Sequence, residues 1–388
     1  MTDKARHKAL AHLAWVSLFR GDRLRMWVAV FGIGVAFLTV FLHLALLHAV
    51  SEKSTQIFRL FAADAVVLSR QYQFAYSMGD FPSIRLRQVA QNARAEAVVP
   101  VRIGRAGWQA EEAGIAQGGV SRVLVLGLSP SASAFIADAE IRGQLDVLRS
   151  PRQVLFDRLS SPDIGSRHHG DMARLNRQSV RVAGAFSLGL PMYAPVASIV
   201  SADDFPSMLN EPAMRAEMGL IRISPEASLE DLMTELRTHL PDDIQVLTMP
   251  ELIARERSYF LETKPLGIIV RFGLLIGLAI GGVALFQAIS AQMETRRHDL
   301  ALLRIIGFPK SVSLWFGGLQ LMLLLLLGWG LSILMAWPLF AYISGQARMP
   351  IQLDSMLMGQ SLMYGAVMLV VAGQPLWRAV NCSPAEFL

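Results

Sequence analysis

Residues 265–310 read PLGIIVRFGLLIGLAIGGVALFQAISAQMETRRHDLALLRIIGFPK. From Pro265 to Met293 the run is apolar, and its only charge is Arg271. A helix of roughly 20 apolar residues crosses the hydrocarbon of a bilayer, so this run is expected to be a membrane span. The segment 294–310 is polar, and a second apolar run opens at Ser311. The polar segment is therefore a short loop between two crossings, and it keeps helical spacing. Leu300, Leu303 and Ile306 share one face, while Arg297, Asp299 and Arg304 lie elsewhere. Gly307 and Pro309 end it. A short amphipathic helix at a membrane surface is suited to docking a partner. Within the apolar run Gly273, Gly277 and Gly281 recur every fourth residue, continued by Ala284 and Ala288. Such a stripe lets another helix approach closely, and the pattern fits a span of the same chain as well as one of a second copy.

The chain has 388 residues, 53% hydrophobic and 17% charged, with a mean hydropathy of +0.40. That is too apolar for an ordinary soluble protein and too charged for a wholly embedded one. The net charge of +5 is the excess expected of basic loops beside a membrane, not of a nucleic-acid binder. The single cysteine, Cys382, excludes an internal disulfide and a cysteine zinc site.

Residues 1–25 are basic and carry a weakly amphipathic helix at the inner leaflet. Met26–Val50 contains no Asp, Glu, Lys or Arg and is the first span; it is too long for a signal-peptide core, and no clear cleavage site follows. His43 and His48 lie in it, five residues apart, so they point about 140° away from each other and share no ligand. Residues 265–293 form the second span, 311–343 the third and 356–377 the fourth. Residues 344–355 make a short outer loop and 378–388 a tail. Pro338 is expected to kink the third span. Lys and Arg of the short loops gather before the first span and at Arg296, Arg297, Arg304 and Lys310. Both termini and the 294–310 loop are therefore cytoplasmic, and residues 51–264 lie outside.

That outer block is expected to be α+β. Ala65–Ser69 and Ala97–Ile103 read as strands around a helical Pro82–Asn92. Leu220–Ile223 and Ile244–Leu247 read as strands around a helix Leu229–Leu240. Two α+β lobes at the two ends of the block follow from this, separated by a strand-rich insertion containing Val123–Leu128, Gln153–Phe156, Val180–Phe186 and Val196–Ser201. A helical stretch Ser131–Leu148 lies within it. The fold class is thus an α-helical membrane protein of four transmembrane helices with an α+β periplasmic domain between helices 1 and 2.

The sequence carries no catalytic constellation. It has no G-x-S-x-G, no H-E-x-x-H and no phosphate-binding G-x-x-x-x-G-K-[ST]. His168 and His169 are adjacent and point apart, as surface-loop residues do. No cofactor is expected in this chain, and if ATP with its Mg is used, another chain holds it.

One span, a large outer domain, then three spans: this order resembles the MacB/FtsX superfamily of ABC-transporter permeases. Asp299-Leu-Ala-Leu-Leu-Arg-Ile-Ile-Gly307 is similar to its cytoplasmic signature, an acid followed by a base and a glycine before the third span. Asp stands here where Glu is usual. Arg378-Ala-Val-Asn-Cys-Ser-Pro-Ala-Glu-Phe-Leu388 is similar to its closing R-A-x-x-x-x-P-x-x-x-L. Ala14-Trp15 with Leu18, Val154-Leu-Phe-Asp-Arg158, Ser161-Pro-Asp-Ile-Gly165, Val182-Ala-Gly-Ala-Phe186 and Val246-Leu-Thr248 resemble the DevC-type branch, in the same order along nearly the whole chain.

The resemblance implies a non-catalytic subunit of the bacterial inner membrane, working as a homodimer with two ABC ATPase subunits. It implies ATP-driven motion passed up the first two spans to the outer domain, a periplasmic membrane-fusion adaptor, and an outer-membrane channel. Asp299, Leu303, Arg304, Ile306 and Gly307 would be the ATPase contacts, and Gly273, Gly277 and Gly281 a helix-packing face. The cargo it implies is a lipid, glycolipid or other amphiphile. Lipoprotein release and peptide or antibiotic efflux are alternatives within the class. A membrane sensor with an outer ligand domain is the alternative outside it.

Overall fold

The computed structural model describes residues 23–112, 115–160, 164–165, 168–189, 196–295, 309–347 and 352–381. The chain divides into two compact units, Met1–Ala49 with Pro265–Leu388, and Val50–Lys264.

The first unit is helical. Span 1 is Arg23–Lys53, span 2 Pro265–Thr295, span 3 Lys310–Ala347 and span 4 Ser355–Asn381. Each contains a stretch long and apolar enough to cross a membrane. In hydrocarbon a backbone can pair only with itself, which makes such runs helical. Span 1 is the most enclosed. Val30, Ile33, Phe37, Val40, Phe41 and Leu44 recur at helical spacing and are buried, while Trp27, Val28 and Phe31 are exposed and form a lipid-facing side. Span 3 is 38 residues long, about 57 Å, well beyond the hydrocarbon thickness, and it stays helical through Pro338. Trp329 Nε1 donates to Ser361 Oγ at 3.0 Å, joining spans 3 and 4. Asp354 starts span 4, its Oδ1 accepting from Leu357 N at 2.7 Å.

The second unit runs β1 (Ala65–Ser69), β2 (Phe81–Pro82), α1 (Ile84–Ala90), β3 (Ala95–Glu112), β4 (Ile115–Leu128), α2 (Ala139–Arg142), β5 (Gln153–Asp157), β6 (Met172–Leu175), β7 (Gln178–Phe186) and β8 (Val196–Ser201). It continues with α3 (Phe205–Leu209), β9 (Arg215–Ala216), β10 (Met218–Ile223), α4 (Leu229–His239), β11 (Ile244–Thr248) and α5 (Met249–Ser258). β1, β10, β11 and the first half of β3 form an antiparallel sheet in the order β11-β1-β10-β3. Two β-α-β units interleave to make it, a ferredoxin-like arrangement. The two lobes expected from sequence are therefore one. β1 is apolar on both faces and can be satisfied only by strands on either side, and those come from the far end of the block.

The strand-rich insertion is a ring. β3 pairs with β4, β4 with β8, β8 with β5, β5 with β7 and β7 with β6. β6 then returns to the second half of β3, with Trp108 opposite Leu175. Closure leaves the six strands without free edges. Trp108, Val123, Val125, Val154, Phe156, Leu175, Val180 and Val182 fill its core with α3 residues Phe205 and Met208. β3 belongs to both lobes. The sheet has a core on each face: Val67, Ile221 and Val246 pack with α1 and α4, and Val66, Leu68 and Leu220 with the neighbouring loops and α5.

The helix expected over Ser131–Leu148 is broken into a 3-10 turn at Pro130–Phe135, the short α2, and a second 3-10 turn at Leu145–Arg149. Asp138 restarts the chain by accepting from Ile141 N at 3.0 Å, and Gly143 ends α2.

Candidate functional site

The coupling residues Asp299, Leu303, Arg304, Ile306 and Gly307 lie outside the described residues. The glycine stripe lies within them. A Cβ at Gly273 would overlap the His43 ring; at Gly277 it would meet Thr39 Cγ2 at 3.1 Å; at Gly281 it would meet Met368 Cε at 2.5 Å and Ala36 Cβ at 3.0 Å. The stripe therefore faces span 1, with span 4 at its Gly281 end, and this contact is within one chain. Tight approach of this kind is how helices associate where lipid removes the hydrophobic driving force. His43 Nδ1 lies 2.7 Å from the Thr39 carbonyl, so Nδ1 carries the donated hydrogen and Nε2 turns to Gly273. On its other side, span 1 meets span 3 where a Cβ at Gly328 would lie 2.5 Å from Ile33 Cγ2 and 3.3 Å from Gly34 N. Span 1 is thus gripped from two sides by neighbours that meet its backbone closely.

In the Val50–Lys264 unit the polar chemistry gathers where β3 leaves the sheet for the ring. Arg102, 4% exposed, donates through Nε to Glu217 Oε2 at 2.9 Å and through Nη2 to Glu211 Oε2 at 3.2 Å. Glu217, 5% exposed, also accepts from Ile103 N at 2.9 Å. Burial pushes the Glu217 carboxyl above its ordinary range, against the pull of Arg102. Glu211 moves the same way: burial raises it, Arg102 opposes, and Asp80 adds repulsion. Asp80 is itself paired with Arg215. Gly104 and Gly127 leave the space that the Phe205 ring occupies; a Cβ on either would come within 2.8 Å of it.

The facing wall is the loop 70–80. Tyr72, Phe74 and Tyr76 alternate along it, and a cation from a different part of the chain covers each ring. Arg255 of α5 lies 5.4 Å from Tyr72, Lys264 4.4 Å from Phe74, and Arg105 of β3 4.5 Å from Tyr76. Phe74 also stacks on Tyr259 at 4.8 Å. The fully buried Glu256 of α5 accepts from the Tyr72 hydroxyl and, at 3.0 Å, from Ala75 N. The loop is thereby fastened to the helix that leads, through a π-helical turn at Tyr259–Thr263 and an extended Lys264, into span 2.

Between this wall and β3 lies a cleft of about 370 Å³, lined by Tyr76, Met78, Asp80, Ile103, Arg105, Leu124, Glu211 and Glu217 among others. It is of the size that holds small ligands. Among the described residues no group of His, Cys, Asp and Glu is disposed to hold a metal ion. His168 is exposed, and His169 Nδ1 lies 2.9 Å from the Ala183 carbonyl. The cleft has no contiguous signature in the sequence, because its residues come from four separate segments, 75–80, 103–105, Leu124 and 211–217. The one local signal was Tyr72-Gln-Phe-Ala-Tyr76, three aromatics in a polar loop.

No protein-family model matches the chain, and no curated protein does. Among solved structures, the periplasmic region of MacB from Actinobacillus actinomycetemcomitans aligns at 10% identity and a TM-score of 0.35, covering 50% of this chain and 92% of that one. The extracellular domain of the ABC-type transporter YknZ from Gram-positive bacteria aligns at 10% identity and a TM-score of 0.34, covering 48% and 98%. These are what the chain is similar to; at such scores neither likeness bears on its activity.

Proposed function

We propose that this chain is the membrane subunit of an ABC-type exporter, of the DevC-type branch of the MacB/FtsX superfamily. It sits in a bacterial inner membrane with both termini in the cytoplasm. The observation that carries the proposal is the arrangement of the spans: the Val50–Lys264 unit is strung between spans 1 and 2, and two further apolar helices follow. Motion along either of the first two spans reaches an end of the outer unit directly. The sequence has no P-loop, so ATP and Mg belong to a partner ATPase, which docks on Asp299, Leu303, Arg304, Ile306 and Gly307. Apart from Arg271, His43, His48 and a few Gln and Ser the spans are apolar, so a hydrophilic solute has no evident path through them. The cargo is an amphiphile, a lipid or glycolipid, taken from the outer leaflet or periplasm and passed to a periplasmic adaptor and an outer-membrane channel. A second copy completes the subunit pair.

The test is to purify the tagged chain from its own host and to identify what comes with it. An ABC ATPase is expected in the eluate, and it should be lost from Gly307→Val and Arg304→Glu chains. An eluate without any ATPase sinks the proposal. Deleting the gene should change outer-membrane lipids; an unchanged lipid profile with lost secretion of a soluble protein removes the amphiphile and leaves the exporter.

A further inference from the structure

The cleft beside β3 carries charges of both signs. Glu217 is spent on Arg102. Asp80 and Glu211 are paired too, but their side chains remain 44% and 35% exposed, with lone pairs left to offer. Arg105 is exposed, and among the described residues its guanidinium makes no ion pair; it lies only over Tyr76. A cation alone would meet Arg105, and an anion alone would meet Asp80 and Glu211. A ligand with one positive and one negative group meets neither penalty. The inner surface, Met78, Ile103 and Leu124, is apolar, and a volume of about 370 Å³ has room for a headgroup and its first methylenes, not for acyl chains.

We propose that this cleft binds the headgroup of a zwitterionic phospholipid, its ammonium at Asp80 and Glu211 and its phosphate on Arg105. The proposal rests on the reading of the outer unit as a handler of amphiphiles. A phosphodiester carries one negative charge, which one guanidinium matches with two parallel hydrogen bonds. A primary ammonium carries three donors for the two carboxylates. The same loop that walls the cleft hangs from Glu256 through Ala75 N. A bound headgroup pressing on Tyr76 and Asp80 therefore bears on the helix that runs toward span 2.

The full-length chain in maltoside detergent is titrated calorimetrically with glycerophosphoethanolamine, glycerophosphoglycerol and lysophosphatidylethanolamine. Glycerophosphoethanolamine should bind saturably, and glycerophosphoglycerol about tenfold more weakly or worse, since a hydrogen bond to a charged group is at stake. Arg105→Ala and Glu211→Gln should each weaken glycerophosphoethanolamine by about tenfold, and Arg105→Lys should recover part of the loss. Melting temperatures of the variants, unchanged, show that the fold is intact. Equal affinity for the two headgroups, no saturable binding, or binding indifferent to both variants overturns the proposal. Lysophosphatidylethanolamine should bind more tightly than its headgroup; equal affinity would mean a soluble phosphoethanolamine ester and overturns the lipid assignment. If an ABC ATPase still purifies with the chain while headgroup binding is absent, only this proposal fails; if no ATPase purifies with it, the exporter reading fails on its own account.

Discussion

Thr248 and Glu251 close the first turn of α5 on each other. Thr248 Oγ1 accepts from Glu251 N at 3.3 Å, and Glu251 Oε2 accepts from Thr248 N at 2.8 Å. The bond from Thr248 N, with Arg237 assisting, holds the Glu251 carboxyl below its ordinary range. A lowered folded value means that the stabilisation is complete above the ordinary carboxylate range and is lost as pH falls through the folded value. Thr248→Ala should cost about 1 kcal/mol. The gap in melting temperature between the parent and Glu251→Gln should shrink on acidification; a gap independent of pH would contradict the assignment. Arg102 makes the opposite case. Replacing it with Met leaves Glu217 buried with no guanidinium, and unfolding should become easier by about 3–5 kcal/mol, the cost of an uncompensated interior charge. A melting temperature within a degree of the parent would refute that role. Thr248 to Glu251 has the local spacing of a capping box, just past the strand expected over Ile244–Leu247, whereas Arg102 meets Glu217 across more than a hundred residues and has no local signal.

Among the elements, span 2 gives the sharpest test. Its glycine face lies on span 1, so Ala36→Cys with Gly281→Cys, in a chain whose own Cys382 is replaced by Ser, places two Cβ atoms about 3 Å apart, close to the spacing a disulfide needs. Mild oxidation should give a monomer of altered gel mobility. A dimer band in its place would move the stripe to an interface between copies. Gly277→Leu should force Thr39 and Val40 away and lower the melting temperature in bilayer discs. The four apolar helices were legible because lipid imposes one rule on the backbone, and length with apolarity reveals it. The small-residue stripe was legible too, but not its partner, because spacing alone names no neighbour. The ring was only half legible. Val123–Leu128 and Val196–Ser201 are plainly strand-like, whereas residues 104–121, GRAGWQAEEAGIAQGGVS, show no alternation to mark the outer halves of β3 and β4. Pairing with β6, from the other side of the ring, holds that half of β3 extended.

At the scale of the molecule the expectations concern sidedness and energy. Cys382 is the only thiol in the chain. It should react with a membrane-impermeant maleimide in inverted vesicles and not in intact cells, since the short basic loops set the cytoplasmic side. Labelling in intact cells would overturn the orientation. The purified chain should not hydrolyse ATP by itself, and turnover that survives removal of any co-purifying ATPase would place a nucleotide site in this chain. The four apolar helices flanking one large unit were readable at this scale from hydropathy alone. The cleft was not, since only folding brings residues 76–80, 103–105 and 211–217 together.

The sheet order β11-β1-β10-β3 sets a timetable for biosynthesis. β1 emerges soon after span 1, yet both strands that flank it, β10 and β11, lie beyond the whole ring in sequence. Until Ile223 has emerged β1 has no partner, and until Thr248 has followed one of its hydrogen-bonding edges stays bare, the condition in which strands pair with the wrong chain. The ring closes on itself through β3 and β6, so apart from the shared first half of β3 it can fold in the interval. The sheet can be completed only when the next segment to emerge, α5 and then span 2, is about to enter the bilayer. Stalling synthesis with the emerged chain ending between Leu209 and Met218 should therefore leave a folded ring on an open, protease-sensitive stem, and release of the stall should convert the stem to a resistant state.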